Sequence, residues 1–227
     1  DLYNEVVQLL LERWNETIGA DRGLLATLDI KSLKLSDIRE VIEQLAFEAH
    51  RLHLGQEGTA DSPEGDLEAA LSPLLGDDRN KARLVIKHIE ERAGLLLGQG
   101  PRQRQRQFTF PHRTFQEFLA GCHLARSNDF SEQAQQLAHE NPAHWREVLT
   151  FAARQATASR GVPAADYLVH CQSVRDWQGK QPPVPGDWRS AILAGEQLLE
   201  IGLAAVNRRP EHMVVRERVA HWLAALI

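Results

Sequence analysis

The side chains best placed to do chemistry in this 227-residue chain lie in one run, Phe108-Thr109-Phe110-Pro111-His112-Arg113-Thr114-Phe115-Gln116-Glu117-Phe118-Leu119-Ala120-Gly121. His112 is its only imidazole. An imidazole can donate an N–H to an anionic oxygen and gains charge when an anion is close. Taken by itself, a histidine in front of a helix reads as a capping or surface residue. Thr114 and Glu117 have the spacing of a capping box, in which hydroxyl and carboxylate satisfy reciprocal backbone N–H groups, so the spacing predicts a helix opening at Thr114.

Other constellations carry less. His50 and His53 stand three apart in a helical pattern, but no Cys or further His follows at zinc-finger spacing, so no metal site is expected. Arg102, Arg104 and Arg106 alternate with Gln in a Gly-rich stretch; with no aromatic interleaving they read as a solvated loop tip. Glu12, Glu16, Glu43 and Glu48 fall on polar faces and are expected in solvent. Cys122 and Cys171, the two cysteines, sit in apolar-periodic stretches and read as reduced core thiols. No G-x-S-x-G elbow occurs. Nor does G-x-x-x-x-G-K-(S/T), or an apolar strand ending in paired acids for magnesium, so no catalytic residue is assigned and nucleotide hydrolysis is not expected from these residues.

The elements around these residues are mainly helical. Leu2, Val6, Leu9, Leu10 and Trp14 recur at three- and four-residue steps. Ile38, Val41, Ile42, Leu45, Ala46, Ala49 and Leu52 follow Asp37, with Gly55 as the expected stop. Ser62-Pro63 reads as a capping hydroxyl and first-turn proline ahead of Leu67, Leu71, Leu74 and Leu75. Ala82, Val85, Ile86 and Ile89 form the face of a third helix ending at Gly94. Leu95-Leu96-Leu97, a Gly-rich basic turn and Phe108-Thr109-Phe110 then read as a two-stranded hairpin. Three helices followed by a hairpin are the parts of a winged helix. The next helix carries Phe115, Phe118, Leu119 and Cys122 on one side.

From about Ser131 only helices and loops are expected. Trp145, Val148, Leu149, Ala152 and Ala156 make one face, and Tyr167, Leu168, Cys171 and Val174 another. Gln181-Pro182-Pro183-Val184-Pro185-Gly186 separates these from a long helix bearing Trp188, Ile192, Leu198, Leu199 and Val206, and Arg216 to Ile227 reads as the last helix. Composition adds limits. The chain is 43% hydrophobic and 25% charged, as in globular proteins, and its formal charge of −5 disfavours a dedicated nucleic-acid binder. No apolar run has the length of a membrane span. The opening on Asp1 in front of an amphipathic pattern, and the apolar pattern running to Ile227, suggest a piece of a longer protein.

The run from Phe108 to Gly121 resembles the F-x-H-x-(S/T)-F-Q-E-(Y/F)-x-A-A segment of NACHT proteins, the STAND NTPase group that includes animal NOD-like receptors and bacterial defence proteins. Pro111 stands where Leu or Ile is frequent, and Gly121 where Ala is usual. The flanks are similar too: Leu2 to Trp14 resembles the L-Y-x-x-x-x-x-L-L-x-x-W helix before the winged helix, Ala93-Gly94-Leu95-Leu96 the hairpin entry, and His144-Trp145-Arg146-Glu147-Val148 the start of the following helical domain.

The resemblance implies a mainly α protein: a terminal helix of a preceding helical domain (1–18), a winged-helix domain with one short β-hairpin (30–127) and a superhelical or repeat-like helical domain (131–227). It implies the regulatory portion of a cytoplasmic, bacterial signalling ATPase, in which His112 matches the histidine that contacts the ADP β-phosphate in the inactive state. ADP or ATP with magnesium would belong to the whole protein, with no cofactor in this part. The implied partners are the protein's own nucleotide-binding domain and, on activation, further copies; nucleic acid and membrane are not expected. The rival reading is a winged-helix DNA-binding transcription regulator with a helical dimerisation or ligand domain. Its recognition helix would run from Arg79 to Arg92, with Arg79, Lys81, Arg83, Lys87 and Arg92 diluted by Asp78, Glu90 and Glu91.

Overall fold

The computed structural model describes residues 2–15, 23–30, 33–53, 61–100 and 106–160, with isolated positions between 192 and 224. The chain is mostly helical with a small three-stranded antiparallel sheet. It divides into two compact units, Asp1–Ala120 and Gly121–Ile227.

The first unit begins with α1 (Leu2–Asn15), α2 (Leu24–Leu28) and α3 (Leu35–Leu52). α3 starts where Asp37 accepts the Lys34 N–H at 2.8 Å, satisfying a donor that the helix leaves open. Ile38, Val41, Ile42, Ala46 and Ala49 are buried along it as the periodicity predicts, while Leu52, the last residue of the expected face, is exposed at the helix end. Its expected stop, Gly55, lies outside the described residues. Strand β1 (Ser62–Pro63), α4 (Glu64–Leu71), a 3-10 turn (Ser72–Leu75) and α5 (Arg79–His88) follow. The Asp78 carboxylate caps α5, accepting the N–H groups of Asn80 (2.9 Å) and Lys81 (3.3 Å). A π-helical turn (Ile89–Ala93) prolongs α5 and ends at Gly94, in the left-handed region with φ 62°. β2 (Leu97–Gln99) and β3 (Gln107–Thr109) complete the sheet, in the order β1-β3-β2. Helix, strand, two helices and hairpin make the winged helix that the sequence predicts.

Three local readings change. Ser62-Pro63 is a strand, and Pro63 rather than Ser62 stands at the N-cap of α4, with no side-chain capping bond: Ser62 pairs with Phe108 and Pro63 with Gln107, while the Glu64 N–H donates to Arg106 O at 2.9 Å. A proline lacks the amide donor, but an edge position asks for none from it. Among the described side chains of α1, Val7 and Leu11 are buried, whereas Leu2 and Leu9 are 71% and 50% exposed. The expected face was rotated by one residue because apolar side chains surround most of this helix, and its packing rather than its periodicity selects the inner side. Glu43, expected in solvent, is wholly buried in α3 and accepts Arg39 Nε at 2.7 Å; Arg39 Nη2 also donates to Asn4 Oδ1 of α1 at 2.7 Å. A buried carboxylate is tolerable because it is paired.

α6 (Arg113–Arg126) contains the boundary between the units. In the second unit, α7 (Phe130–Glu140) packs on α8 (Pro142–Arg160). Asn141 caps α8, its side chain accepting the His144 N–H at 3.1 Å, and Pro142 takes the first-turn position where no donor is needed. Trp145, Val148, Leu149, Ala152 and Ala156 form the buried face as predicted. Cys122 is buried, as expected of a core thiol. Gly121 has a spatial explanation: a Cβ there would lie 2.8 Å from Phe151 Cβ and 2.9 Å from Val148 O of α8. Further on, Leu193 and Gln197 are buried, while Ile192 and Leu199, two residues of the expected face, are exposed. Tyr167, Leu168, Cys171, Val174, the proline stretch and Trp188, Leu198 and Val206 lie outside the described residues.

Candidate functional site around His112

Phe108 and Phe110 are buried on β3 and just after it, and they anchor the chain as it turns into α6. Between Phe110 and the helix, Pro111 and His112 form a bend, and this leaves His112 exposed. α6 opens at Arg113, one residue before the predicted start. The His112 carbonyl accepts the N–H groups of Phe115 (3.0 Å) and Gln116 (3.3 Å), so His112 caps through its backbone and its imidazole is left to other uses. Glu117 receives Arg113 Nε at 2.8 Å across one helical turn. That ion pair engages the nearest cation and places the carboxylate, which is nearly buried, away from solvent.

The His112 ring lies 6.3 Å from that of Phe115, at an interplanar angle of 28°. Phe115 in turn meets Tyr3 of α1 edge-on at 5.7 Å, and Tyr3 stacks on the fully buried Phe118 at 5.6 Å. An exposed imidazole beside the open N-terminus of a 14-residue helix can serve an anionic oxygen in two ways, by its own N–H and by the positive end of the helix.

Residues 1–124 match the family described as the winged helix-turn-helix domain C-terminal to NACHT. The chain belongs to this family. No curated protein matches it. The match spans α1, the winged helix and nearly all of α6, so the NACHT-associated domain includes the helix that supplies Tyr3.

The other sequence candidates fall elsewhere on the NACHT-associated domain. His50 is buried in α3 and His53 ends it; among the described residues no three His, Cys, Asp or Glu side chains group as metal ligands. Arg102 and Arg104 lie outside the described residues. Arg106, read as part of a solvated tip, is instead enclosed at the base of the wing. It pairs with Glu90 of the π turn through two hydrogen bonds, Nη1 to Oε2 at 3.0 Å and Nη2 to Oε1, and its guanidinium sits 4.9 Å above the Phe108 ring. The Glu90 hydrogen bonds hold its pKa above the ordinary arginine value. On α5, Arg83 is bound to Glu68 at 2.7 Å and Lys87 approaches Glu91 at 3.9 Å. These carboxylates offset the charge a DNA-recognition helix needs. No described helix is long and apolar enough to cross a membrane. What the sequence missed was Tyr3: nothing local marks a tyrosine more than a hundred residues away as the neighbour of the histidine motif.

Proposed function

We propose that this chain is the regulatory part of a NACHT-type signalling ATPase, in which the winged helix and the protein's own nucleotide-binding domain together hold ADP in an autoinhibited state. His112 donates an N–H to the β-phosphate, and the first turn of α6 adds its positive dipole end. An activating signal separates the two domains, ATP with magnesium replaces ADP, and the open form assembles with further copies. The helices after Gly121 transmit the change to a sensor or effector, and the whole acts in the cytoplasm, as in bacterial defence systems. The observation that carries this reading is the exposed His112 imidazole at the N-terminus of α6, in a domain of the NACHT-associated winged-helix family.

A hydrogen bond to a charged group contributes about 1.5–3 kcal/mol, whereas moving a two-state equilibrium from one end to the other takes about 5.5 kcal/mol. His112 therefore biases the closed state, and domain packing supplies the remainder. In the polypeptide that carries the NACHT domain, His112→Ala should speed ADP release and weaken ADP binding by about 10- to 150-fold. Isothermal titration with ADP checks this, and affinity unchanged within about twofold would end the sensor reading.

A further inference from the structure

The His112 ring does not stand alone: it lies against Phe115, and Phe115 is held edge-on by Tyr3 of α1. The rotational setting of α1 is fixed at the very next residue. Asn4 Oδ1 accepts Arg39 Nη2 at 2.7 Å, and Arg39 is tied to the wholly buried Glu43. On the other side Tyr3 is stacked on Phe118, which has no exposed surface. Val7 and Leu11, one and two turns further along α1, are buried as well. Tyr3 is thus a rigid part of α1, whereas His112 is an exposed side chain whose nearest ring neighbour is Phe115.

We infer that Tyr3 is a positioning residue for His112: through Phe115, α1 sets where the imidazole points, so a rotation or displacement of α1 is felt at the proposed phosphate contact. This rests on the reading of His112 as the ADP sensor, and it adds the element that controls it. An exposed imidazole with free χ angles loses rotamer freedom when it grips a ligand; a ring already laid against Phe115 has lost part of it beforehand. A T-shaped aromatic pair favours one mutual orientation of its rings, so Tyr3 biases the setting of Phe115.

Two measurements separate this inference from the sensor reading. In the 227-residue chain, nuclear Overhauser contacts between the His112 and Phe115 rings are expected in the parent and in Tyr3→Phe, which keeps the ring. They should weaken or vanish in Tyr3→Leu, with a change in the His112 ring proton shifts. His112 signals that do not differ between Tyr3→Leu and Tyr3→Phe overturn the inference, whatever happens to nucleotide. In the polypeptide with its NACHT domain, Tyr3→Leu should speed ADP release about two- to twelvefold, the range that corresponds to one aromatic pair, and Tyr3→Phe should restore the parent rate. Phe115→Leu keeps apolar volume and leaves the Tyr3–Phe118 stack in place, so it guards against mere unfolding and should reproduce the Tyr3→Leu effect. In a His112→Ala background the Tyr3→Leu effect should disappear; persistence there would mean that Tyr3 acts on stability alone, which overturns the inference. Loss of the ring contacts in Tyr3→Leu together with unchanged ADP binding in His112→Ala would leave the positioning intact and remove the sensor reading.

Discussion

Two glycines, one at the base of the wing and one at the crossing of α6 with α8, each admit a neighbour that a methyl group would meet, but the neighbours differ in kind. At Gly98 an added Cβ would lie 2.1 Å from Arg106 Nη2 and 2.5 Å from Glu90 Oε1, the ends of two long side chains. At Gly121 it would meet Phe151 Cβ, the Val148 carbonyl oxygen and the Ala152 nitrogen, all within 3.0 Å. Side-chain ends can step aside at the expense of the ion pair they form; a helix backbone can move only as a whole. Glycine therefore protects an electrostatic clamp in the first unit and close helix packing in the second.

The comparison breaks most sharply at Gly121. Gly121→Val should destabilise the second unit by about 3 kcal/mol, read as a lower denaturant midpoint at unchanged slope; a loss below about 0.5 kcal/mol would mean the two helices separate freely. Arg106→Ala comes next, at about 2 kcal/mol, because it removes two hydrogen bonds from the largely enclosed Glu90 carboxylate and the cation over Phe108. Chemical unfolding of the first unit measures it, and a neutral outcome would mean that water reaches Glu90 unhindered. The raised Arg106 pKa adds stability that is present at every pH below the ordinary arginine range and is lost only as pH climbs through the still higher folded value, so this loss should be the same at pH 6 and pH 8.

Gly98→Ala should cost about 1 kcal/mol in the parent and much less once Arg106 is already alanine, since the methyl then has no guanidinium to displace. Additive losses in that double-mutant cycle would show that the clash is with something other than the clamp. The smallest effect is expected at Arg83, whose pair with Glu68 is made at 2.7 Å but by an arginine 59% exposed. Its charge is screened by water and salt, so Arg83→Ala should leave the melting temperature within measurement error. A clear drop would place Arg83 in a network that the Arg106 comparison does not anticipate.

Much of the fold was legible before any coordinates. The Ala82–Ile89 face, the Trp145–Ala156 face, the stop at Gly94 and the hairpin all follow from signals within a few residues of each other, where local sterics and hydrogen bonding decide. The exposed His112 was legible only as a motif, because its neighbours in sequence carry the resemblance. Ser62-Pro63 was not: its short strand exists only because Phe108 and Gln107 come alongside it, and a cap is the better local guess. Glu43 and Arg106 were misplaced for a related reason. Burial of a charge is decided by what packs around it: Arg39, one turn earlier on the same helix, pairs with Glu43 but is itself tied to Asn4 of α1, and Arg106 is enclosed by Glu90 of the π turn.

By itself the sequence determined that this is a mainly helical, NACHT-associated winged helix with further helices behind it, and that His112 is its most distinctive polar residue. Those properties rest on periodicity, caps and a contiguous motif, which do not depend on how distant parts of the chain meet. Only the tertiary structure decided which side of α1 faces inward, that Arg106 closes the base of the wing, and that Tyr3 sits behind the ring against which His112 lies. Each of these depends on long-range packing, in which the gain from burying one face, or from pairing one charge, is settled by residues that no local window contains.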